Sequence, residues 1–409
     1  MSCAWLLRNH YDVTVYERND YVGGHTNTVL VEEGALQIPV DTGFMVYNEP
    51  TYPNLTRLFR ELGVETMPTS MSFSVQHIPD GLEFAGNGLN SLFAQRKNLF
   101  RLRHYLLLKE INRFNSTCTS ILDDPKFQRF SLKQYLDHEK FSDEFRNHYI
   151  IPMGSAVWST PPDRMMQFPA VTLIRFFKNH AFLGLCGQHP WRTVVGGSRM
   201  YRNRILADLG DRVRVSCEVT GVRQDGNTTL VTDVAGKTYR HDRVILAAHA
   251  DESLAILSDP TEEEIKLLSP FRYQENTATL HTDESVMPKT RLSWASWNYR
   301  VEEVVGRGDG VASTIYWMNN LQKVSKAKNY FVSINDPGGI DSSKILKQIV
   351  YHHPLFDLDA IQAQASLPKL NRRGTRYFCG SYFRYGFHED ALASALDVCA
   401  LIKGGDPWK

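Results

Sequence analysis

The sequence has no excess of charge of either sign, because its 409 residues carry 46 lysines and arginines against 45 aspartates and glutamates. With 42% hydrophobic residues, this balance is typical of a globular protein and argues against a nucleic-acid-binding or a disordered chain. No apolar run approaches the ~20 residues that span a bilayer. The opening MSCAWLLRNH also lacks the basic and apolar parts of a signal peptide.

Paired or clustered cysteines are also missing, since no C-x-x-C occurs in the chain. The six cysteines are scattered (Cys3, Cys118, Cys186, Cys217, Cys379 and Cys399). This spacing predicts reduced thiols in a cytoplasmic protein and no metal site. The chain contains no H-E-x-x-H, G-x-S-x-G or Walker A motif, which argues against a zinc protease, a serine hydrolase and a P-loop enzyme. We expect His352 and His353 to form a loop pair and not to bind a metal.

The most informative stretch that is present runs from Val13 to Thr28, VTVYERNDYVGGHTNT. The β-branched and aromatic residues VTVY predict a strand, and Glu17 stands at its carboxyl end. Such an acid accepts hydrogen bonds from ribose hydroxyls in dinucleotide-binding folds. Gly23 and Gly24 follow, where a backbone can approach a ligand closely. The alternative is a plain strand and turn without a ligand.

A G-x-G-x-x-G loop is expected roughly 20 residues before the acid of such a unit. Residues 2–9 predict a helix that leads into the strand ending at Glu17, so the helix and the strand form the second half of a βαβ unit. That loop would lie before residue 1, and it is absent from the sequence.

Two quoted segments carry a resemblance to a known family. Residues 2–29 read SCAWLLRNHYDVTVYERNDYVGGHTNTV, and residues 377–396 read YFCGSYFRYGFHEDALASAL. Both segments resemble the FAD-dependent amine-oxidoreductase superfamily, which includes monoamine oxidases and phytoene-desaturase-like enzymes. The GGHT variant and the ending more closely resemble a subgroup of FAD/NAD-binding proteins, some of which are associated with lipid-modifying enzymes such as cyclopropane-fatty-acid synthases.

The resemblance implies an α/β fold, in which a Rossmann-like FAD-binding domain lacks its first strand and glycine loop. Its segments are residues 1–75, 190–265 and 366–409. The segments 76–189 and 266–365 form an interleaved α+β substrate domain of antiparallel sheet and helices.

The resemblance also implies which residues contact the cofactor, FAD. They are Glu17, Arg18, Gly23, Gly24, His25, Thr26, Asp41, Gly43, Val219, Gly380, Ser381, Phe387, His388, Glu389 and Asp390. His25 and His388 are the candidates for handling a proton near the flavin. For both, a structural role is an equal alternative, and we expect Glu389 or Asp390 to cap the C-terminal helix.

Several functions remain open from the sequence. The first is an FAD-dependent oxidoreductase acting on an apolar, lipid-like or fatty-acyl substrate by desaturation, isomerisation or oxidation. An amine oxidase is the second, although GGHT replaces the arginine-bearing GGR of typical amine oxidases. The third is a truncated, non-catalytic form that cannot hold FAD.

A basic amphipathic stretch raises the question of a lipid partner. Residues 89–116 predict one helix in which arginines and lysines alternate with leucines, phenylalanines and tyrosine. Such a helix can lie peripherally at a membrane surface. The alternative is a solvated charged face above a buried one.

Overall fold

The computed structural model describes residues 1–184, 187–302, 311–372 and 374–409. The strands are β1 (Val15–Tyr16), β2 (Thr28–Glu33), β3 (Leu36–Asp41), β4 (Tyr47–Asn48), β5 (Thr66–Thr69), β6 (Phe73–His77), β7 (Leu82–Ala85), β8 (Trp191–Val194), β9 (Val213–Arg214), β10 (Val219–Asp225), β11 (Thr228–Asp233), β12 (Thr238–His241), β13 (Val244–Leu246), β14 (Arg272–His281), β15 (Trp297–Glu302), β16 (Val311–Trp317), β17 (Phe331–Ile334), β18 (Ile345–Leu355) and β19 (Arg376–Phe378).

The α-helices are α1 (Ser2–Leu7), α2 (Pro53–Glu61), α3 (Leu89–Leu92), α4 (Leu102–Thr117), α5 (Leu132–His138), α6 (Asp143–Phe145), α7 (Ile151–Trp158), α8 (Pro162–Met165), α9 (Ala170–Asn179), α10 (Arg199–Leu209), α11 (Ala250–Ala255), α12 (Glu262–Leu268), α13 (Met318–Leu321), α14 (Leu358–Gln364) and α15 (His388–Lys403). Arg146–Ile150 is a π-helical segment. Among the described residues, no helix is both long enough and apolar enough to span a bilayer.

Two short parallel strand pairs frame the region between the ends of the chain. Strand β1 pairs with β9, with Val15 opposite Val213, and β13 pairs with β19, with Val244 opposite Arg376. The backbone N–H of Glu17 donates to the Arg214 carbonyl at 2.9 Å, so the pairing extends one residue beyond β1. The acid therefore stands at the carboxyl end of a parallel pair, where ligands bind in open α/β sheets.

Helices α1, α10 and α15 hold the two ends of the chain together. The residues of α1 from Cys3 to Leu7 are all buried, and they share one apolar core with Leu392 and Leu396 of α15. The Trp5 indole also donates from Nε1 to Asp208 of α10 at 2.7 Å. Each fully buried large apolar side chain contributes about 2 kcal/mol. This shared core places the N-terminal and C-terminal motifs side by side.

The large sheet has seven strands in the order β18-β14-β17-β16-β15-β6-β7. Its pairs are antiparallel except for β6 and β15, which run parallel with Phe73 opposite Trp297. The prediction of an antiparallel sheet is therefore corrected at this one pair. Strand β6 comes from a distant part of the sequence, so no hairpin dictates its direction.

The predicted helix over residues 89–116 is divided in the structure. It consists of α3, a 3₁₀ segment at Arg96–Phe100, and α4. The side chain of Gln95 binds Gly81 and Glu83, and both Gln95 and Arg101 have extended backbone. These contacts with a neighbouring strand pair outweigh helix propensity.

The sequence of residues 131–149 predicts one further helix with mixed charges, and the structure divides this stretch as well. Ser131 caps α5 through a capping box with Gln134, and Ser142 caps α6. Lys140 between the two helices has a φ of 55°, which a continuous helix does not allow. The two caps were readable in the sequence as separate helix starts.

The sequence also predicts a strand from Val213 to Val219, and the structure corrects its position. Only Val213–Arg214 pairs with β1, and the hairpin across the turn at Gly226 consists of β10 and β11. Val219 is therefore the first residue of a strand. His352 and His353, expected in a loop, lie within β18.

Candidate flavin site

A cavity of about 1730 Å³ lies between the two parallel strand pairs and the start of α15. This volume exceeds the roughly 300–1,000 Å³ of common small-ligand pockets. Its walls include twelve of the fifteen residues predicted to contact FAD: Glu17, Arg18, Gly23, Gly24, His25, Thr26, Gly43, Val219, Gly380, Ser381, Phe387 and His388. The fold thus gathers both sequence motifs around one large space.

One end of the cavity is formed by Glu17, Arg18 and Val219. A Glu17 carboxylate oxygen accepts from the backbone N–H of Asn19 at 2.9 Å, which holds the acid at the end of β1. The exposed Arg18 side chain pairs with Glu252 at 3.1 Å. This end has the half-buried acid that recognition of a ribose requires.

The glycine turn after β1 brings the backbone to the cavity wall. Gly23 and Gly24 have φ angles of 127° and 56°, in the left-handed region that favours glycine. A Cβ on Gly24 would meet no protein atom within 4 Å, whereas a Cβ on Gly43 would lie 2.3 Å from the His25 carbonyl oxygen. Gly43 therefore locks the turn that presents His25.

His25 lies in a group of rings on the cavity wall. Its ring stacks on Tyr351 at 4.7 Å and meets His353 edge-on at 5.0 Å. Burial, together with the neighbouring His353 and His388, holds the pKa of His25 well below its usual value. Its Nε2 is buried without a hydrogen-bond partner in the described residues. Such an atom is free to bind a ligand.

His388 opens α15 and is tied to the glycine turn. Its ring stacks on Phe44 at 4.0 Å, and its Nε2 lies 3.2 Å from the Thr26 hydroxyl. Thr26 in turn contacts the Tyr201 hydroxyl at 2.7 Å. Burial lowers the pKa of His388 to about 4, so the ring is neutral at pH 7. The two predicted histidines are thus brought to one cavity.

Three predicted contact residues do not line the cavity: Asp41, Glu389 and Asp390. Both Glu389 oxygens accept from backbone N–H groups at the start of α2, those of Asn54 and Leu55. Asp390 accepts from the backbone N–H of Phe387 at 2.9 Å and caps its own helix. Burial raises the pKa of Asp390 to about 7. These carboxylates position α15, and the expected cap at Asp390 is present.

Asp41 is bound by the start of α10. Each of its oxygens lies 2.9 Å from the backbone N–H of Ser198, and one accepts from Gln322 at 2.6 Å. Burial raises the pKa of Asp41. The helix start after Gly196-Gly197 therefore receives a carboxylate of the protein itself, and not a cofactor phosphate.

Two further unpartnered polar groups lie in the cavity wall, and the set of predicted cofactor contacts contains neither of them. The Tyr382 hydroxyl and the Trp297 indole N–H are buried without a hydrogen-bond partner in the described residues. A Cβ on Gly380 would lie 2.5 Å from the Tyr382 ring, so the glycine makes room for that ring. Tyr382 stands within the quoted YFCGSY motif, which was the available signal.

These observations fit a flavin dinucleotide. The cavity offers a ribose-type acid, an open glycine turn, and unpartnered polar atoms of His25, Trp297 and Tyr382 along one continuous wall. Unsatisfied buried polar groups are costly, so a polar ligand that pairs them is stabilised. A fold with parallel strands and such a site defines a flavin- or nucleotide-dependent protein.

The comparisons with known proteins identify the family. The model of the flavin-containing amine oxidoreductase family matches residues 1–303. The chain belongs to this family, and the cofactor that this assignment gives is FAD. Amine oxidase [flavin-containing] A of Sus scrofa is 25% identical over 261 residues, which are 60% of this chain and 47% of that protein. The chain thus spans about half the length of the curated relatives it matches.

Solved structures show the same fold. Cyclohexylamine oxidase from Brevibacterium oxydans superimposes with a TM-score of 0.70 at 14% identity, covering 98% of this chain and 96% of that one. The CLA-producing fatty acid isomerase from P. acnes superimposes with a TM-score of 0.68 at 12% identity, covering 98% and 95%. At such low identity the likeness establishes the α/β flavoenzyme fold.

Proposed function

We propose that this protein is an FAD-dependent oxidoreductase that acts on an apolar, lipid-like or fatty-acyl substrate. The observation that carries the proposal is the distribution of charge and aromatic rings in the cavity. Carboxylates line one end of the cavity, and aromatic rings line the other. An amine oxidase and a fatty acid isomerase share this fold, so the side chains that line the cavity of this chain have to distinguish an amine substrate from a fatty-acyl substrate.

The aromatic end is formed where α7 and α9 meet the start of α15. Phe387 stacks on Phe176 at 4.9 Å, and Trp158 lies 4.8 Å from Phe176. Phe182 stacks on Trp191 at 6.2 Å on the same side. All five residues line the cavity. This wall buries an alkyl chain favourably, at roughly 25 cal/mol per Å² of apolar area.

The carboxylate residues of the lining lie elsewhere. They are Asp12, Glu17, Glu218, Asp242 and Glu252, on or beside β1, β10, β13 and α11. Within the described residues, no aspartate or glutamate lines the aromatic end. An ammonium substrate would therefore lack an anionic partner there, whereas an alkyl chain needs none.

The proposed chemistry divides between cofactor and protein. Glu17, the Gly23–Gly24 turn and His388 would hold FAD, which would supply the redox chemistry as the acceptor of a hydride equivalent. The aromatic wall excludes water and orients the substrate. The neutral His25 presents its unpartnered Nε2 to the cavity, where it can accept a proton or donate a hydrogen bond.

The first test is the visible spectrum of the purified protein. The proposal predicts yellow protein with about one flavin per chain after reconstitution with FAD. Folded but colourless protein would support the alternative of a form that does not hold FAD. Circular dichroism of the same sample shows whether the chain is folded.

The second test distinguishes the substrate classes by anaerobic reduction of the flavin. We expect oleic acid to bleach the flavin absorbance or to perturb it by binding, and cyclohexylamine to do neither. Reduction by the amine alone would overturn the lipid proposal in favour of an amine oxidase.

One observation favours an amine oxidase as the second candidate function. The ring centroids of Trp297 and Tyr316 are 5.6 Å apart, and aromatic rings also bind cations.

A lipid partner is supported by the surface of residues 89–109, which we call the basic apolar surface. Its large apolar side chains are unusually exposed: Leu89 74%, Leu99 42%, Phe100 90%, Leu102 72%, Tyr105 45% and Leu106 52%. Five basic side chains of this surface are exposed as well, Arg96, Lys97, Arg101, Arg103 and Lys109. His104 in the same stretch is buried and contacts the Leu92 carbonyl.

The occupant that we propose for this surface is an anionic bilayer. Basic residues near an anionic membrane contribute about 1 kcal/mol each, and apolar side chains enter the interface. The exposed Phe100 and Leu102 argue against the alternative of a merely solvated face. A second copy of the chain would place like charges against each other.

Vesicle sedimentation tests this partner. We expect binding to vesicles rich in phosphatidylglycerol, weaker binding at high salt, and little binding to pure phosphatidylcholine. Replacing Phe100 and Leu102 by serine should reduce binding at least about tenfold, which is the loss of ~1.4 kcal/mol. The matched control is Leu36→Ser. Leu36 is 63% exposed on the β2–β3 hairpin, outside the basic apolar surface, and this variant should bind vesicles as the original chain does. Equal binding by both variants would exclude this surface.

The domain division and the compartment complete the proposal. We propose that the cofactor domain consists of residues 1–75, 190–265 and 366–409, and that the substrate domain consists of residues 76–189 and 266–365.

Cytoplasm is the proposed compartment, because the five described cysteines are free. The sulfurs of Cys3 and Cys379 lie 3.8 Å apart and are not joined by a disulfide. Cys186 lies outside the described residues.

A further inference from the structure

A cluster of two histidines and an aspartate lies away from the flavin cavity. His77 ends β6, Asp80 stands in the turn that leads to β7, and His148 lies on the π-helical segment Arg146–Ile150. Their ligand atoms all lie within 4.8 Å of one another. None of the three lines the cavity. The flavin site therefore makes no use of them.

Asp80 stands between the two imidazole rings. One of its oxygens lies 2.8 Å from His77 Nδ1, and the other lies 2.9 Å from His148 Nε2. The rings meet edge-on with centroids 4.6 Å apart. The three groups thus converge, although they come from a strand end, a turn and a helix.

The surroundings of His148 suit a metal ligand. Its Nδ1 lies 2.9 Å from the backbone carbonyl of Glu144, and its Nε2 faces the Asp80 carboxylate. When Nδ1–H donates to the carbonyl, the Nε2 lone pair faces an oxygen of Asp80. A metal ion bound by Nε2 and the carboxylate removes this conflict, and a carbonyl that fixes the tautomer is the usual outer partner of a metal-binding histidine.

We propose that His77, Asp80 and His148 bind a zinc ion. Zinc takes nitrogen and carboxylate ligands at about 2.0–2.2 Å in tetrahedral geometry, which separates the ligand atoms by about 3.3 Å. The two contacts with Asp80 are about half an ångström shorter and run to different carboxylate oxygens, and the three ligand atoms lie within 4.8 Å of one another, so side-chain movements complete the site. The side chains of His77 and Asp80 are 17% and 22% exposed, which leaves a solvent path for the metal.

The bound ion would join the large sheet to the helices of the substrate domain. Two ligands belong to the β6–β7 turn and one to the π-helical segment, a type of helix distortion that often occurs at functional sites. The sequence showed only the spacing H-x-x-D at residues 77–80, without the third ligand. The expectation of no metal site is thereby revised in this proposal.

Replacing Arg103 tests whether the cluster binds zinc or is only an ion-pair network. Its guanidinium lies 3.1 Å from Asp80 and also pairs with Glu144. If a zinc ion occupies the site, Arg103→Gln removes a repelling charge and zinc affinity rises. If the cluster is only an ion-pair network, the same change has no effect on zinc binding, because zinc does not bind.

The decisive experiment titrates zinc chloride into the purified full chain. We expect one zinc per chain, and a loss of affinity of at least about 100-fold in His77→Gln and in His148→Asn. His138→Gln is the matched control, since His138 lies on the surface, where it contacts Glu139 at 2.9 Å and Lys126 at 2.6 Å, and the change should leave zinc binding unchanged. His77→Gln keeps the test valid should the more buried His148 variant fail to fold.

X-ray absorption at the zinc edge separates this site from binding by free thiols. The proposal predicts nitrogen and oxygen neighbours at about 2.0–2.1 Å and no sulfur at about 2.3 Å. A sulfur shell, equal zinc binding by His77→Gln, or no stoichiometric binding by the original chain would overturn the proposal. This inference does not rest on the proposed oxidoreductase function.

Discussion

The histidines of the flavin cavity and those of the His77–Asp80–His148 cluster differ in what they face. His25 and His353 face each other and the Tyr351 ring, whereas His77 and His148 each face an oxygen of one carboxylate. Burial among rings lowers the pKa of the cavity histidines, so they are neutral lone-pair donors. A carboxylate instead favours a cation beside the ring. The same side chain thus serves two kinds of chemistry according to its neighbours.

The largest expected effect comes from adding a single Cβ in the turn that presents His25 to the flavin cavity. In Gly43→Ala the new atom would lie 2.3 Å from the His25 carbonyl oxygen, and the backbone turn must move. We expect a loss of more than about 3 kcal/mol in the free energy of unfolding and loss of bound flavin. Flavin content and chemical denaturation measure this.

Gly24→Ala is the matched control for that change. Its Cβ would meet nothing within 4 Å, so only the φ of 56° costs free energy, about 1–2 kcal/mol. Zinc stoichiometry should remain at one in both variants, provided the chain folds. Flavin retained in Gly43→Ala would contradict the role of this turn.

Acid should destabilise the fold through the buried histidines of the cavity. Burial lowers the pKa of His353 to about 4 from an ordinary 6.5, so between these values the unfolded chain binds a proton that the native chain does not. Stability therefore rises with pH from 4 to 6.5 and is lost as pH falls, by up to about 3 kcal/mol for this group.

His353→Gln tests this sign. Asn276 can still donate to a glutamine oxygen as it does to His353 Nδ1 at 2.8 Å. We expect denaturation midpoints measured from pH 4 to 7 to fall less steeply in the variant, while His138→Gln keeps the original slope. An unchanged slope in His353→Gln would show that this ring is not desolvated.

Removal of metal should have a slightly smaller effect, confined to the other region. A ligand that binds only the native state adds about 2.7 kcal/mol of stability when present at 100 times its Kd. We expect EDTA to lower the melting temperature of the zinc-loaded chain without releasing flavin. The same treatment of His77→Gln should change nothing.

The smallest effect concerns the unpartnered hydroxyl of Tyr382 in the cavity wall. Tyr382→Phe removes a buried polar group without a partner, so the flavin-free chain should be unchanged or up to about 1 kcal/mol more stable. FAD affinity should fall by less than about tenfold if the hydroxyl pairs with the cofactor. Isothermal titration with FAD measures both outcomes against Tyr385→Phe as control.

Local patterns predicted the segments of the cofactor site well. Helix α1, the strand ending at Glu17 and the C-terminal helix lie near their predicted positions, because caps, glycines and apolar periodicity act over a few residues. The predictions of one continuous helix over residues 89–116 and one over residues 131–149 were wrong, because the structure divides each stretch into shorter helices. Side chains such as Gln95 bind a distant strand, and periodicity carries no information about such contacts.

The sequence by itself determined the family and the two cofactor motifs, and twelve of the fifteen contact residues that it predicted line the cavity. Only the tertiary structure decided that Asp41 and Glu389 bind helix starts and do not line the cavity. It alone brought His77, Asp80 and His148 together and exposed Phe100. Burial and hydrogen-bond partners arise from packing between segments far apart in the chain, so they become readable only once the chain is folded.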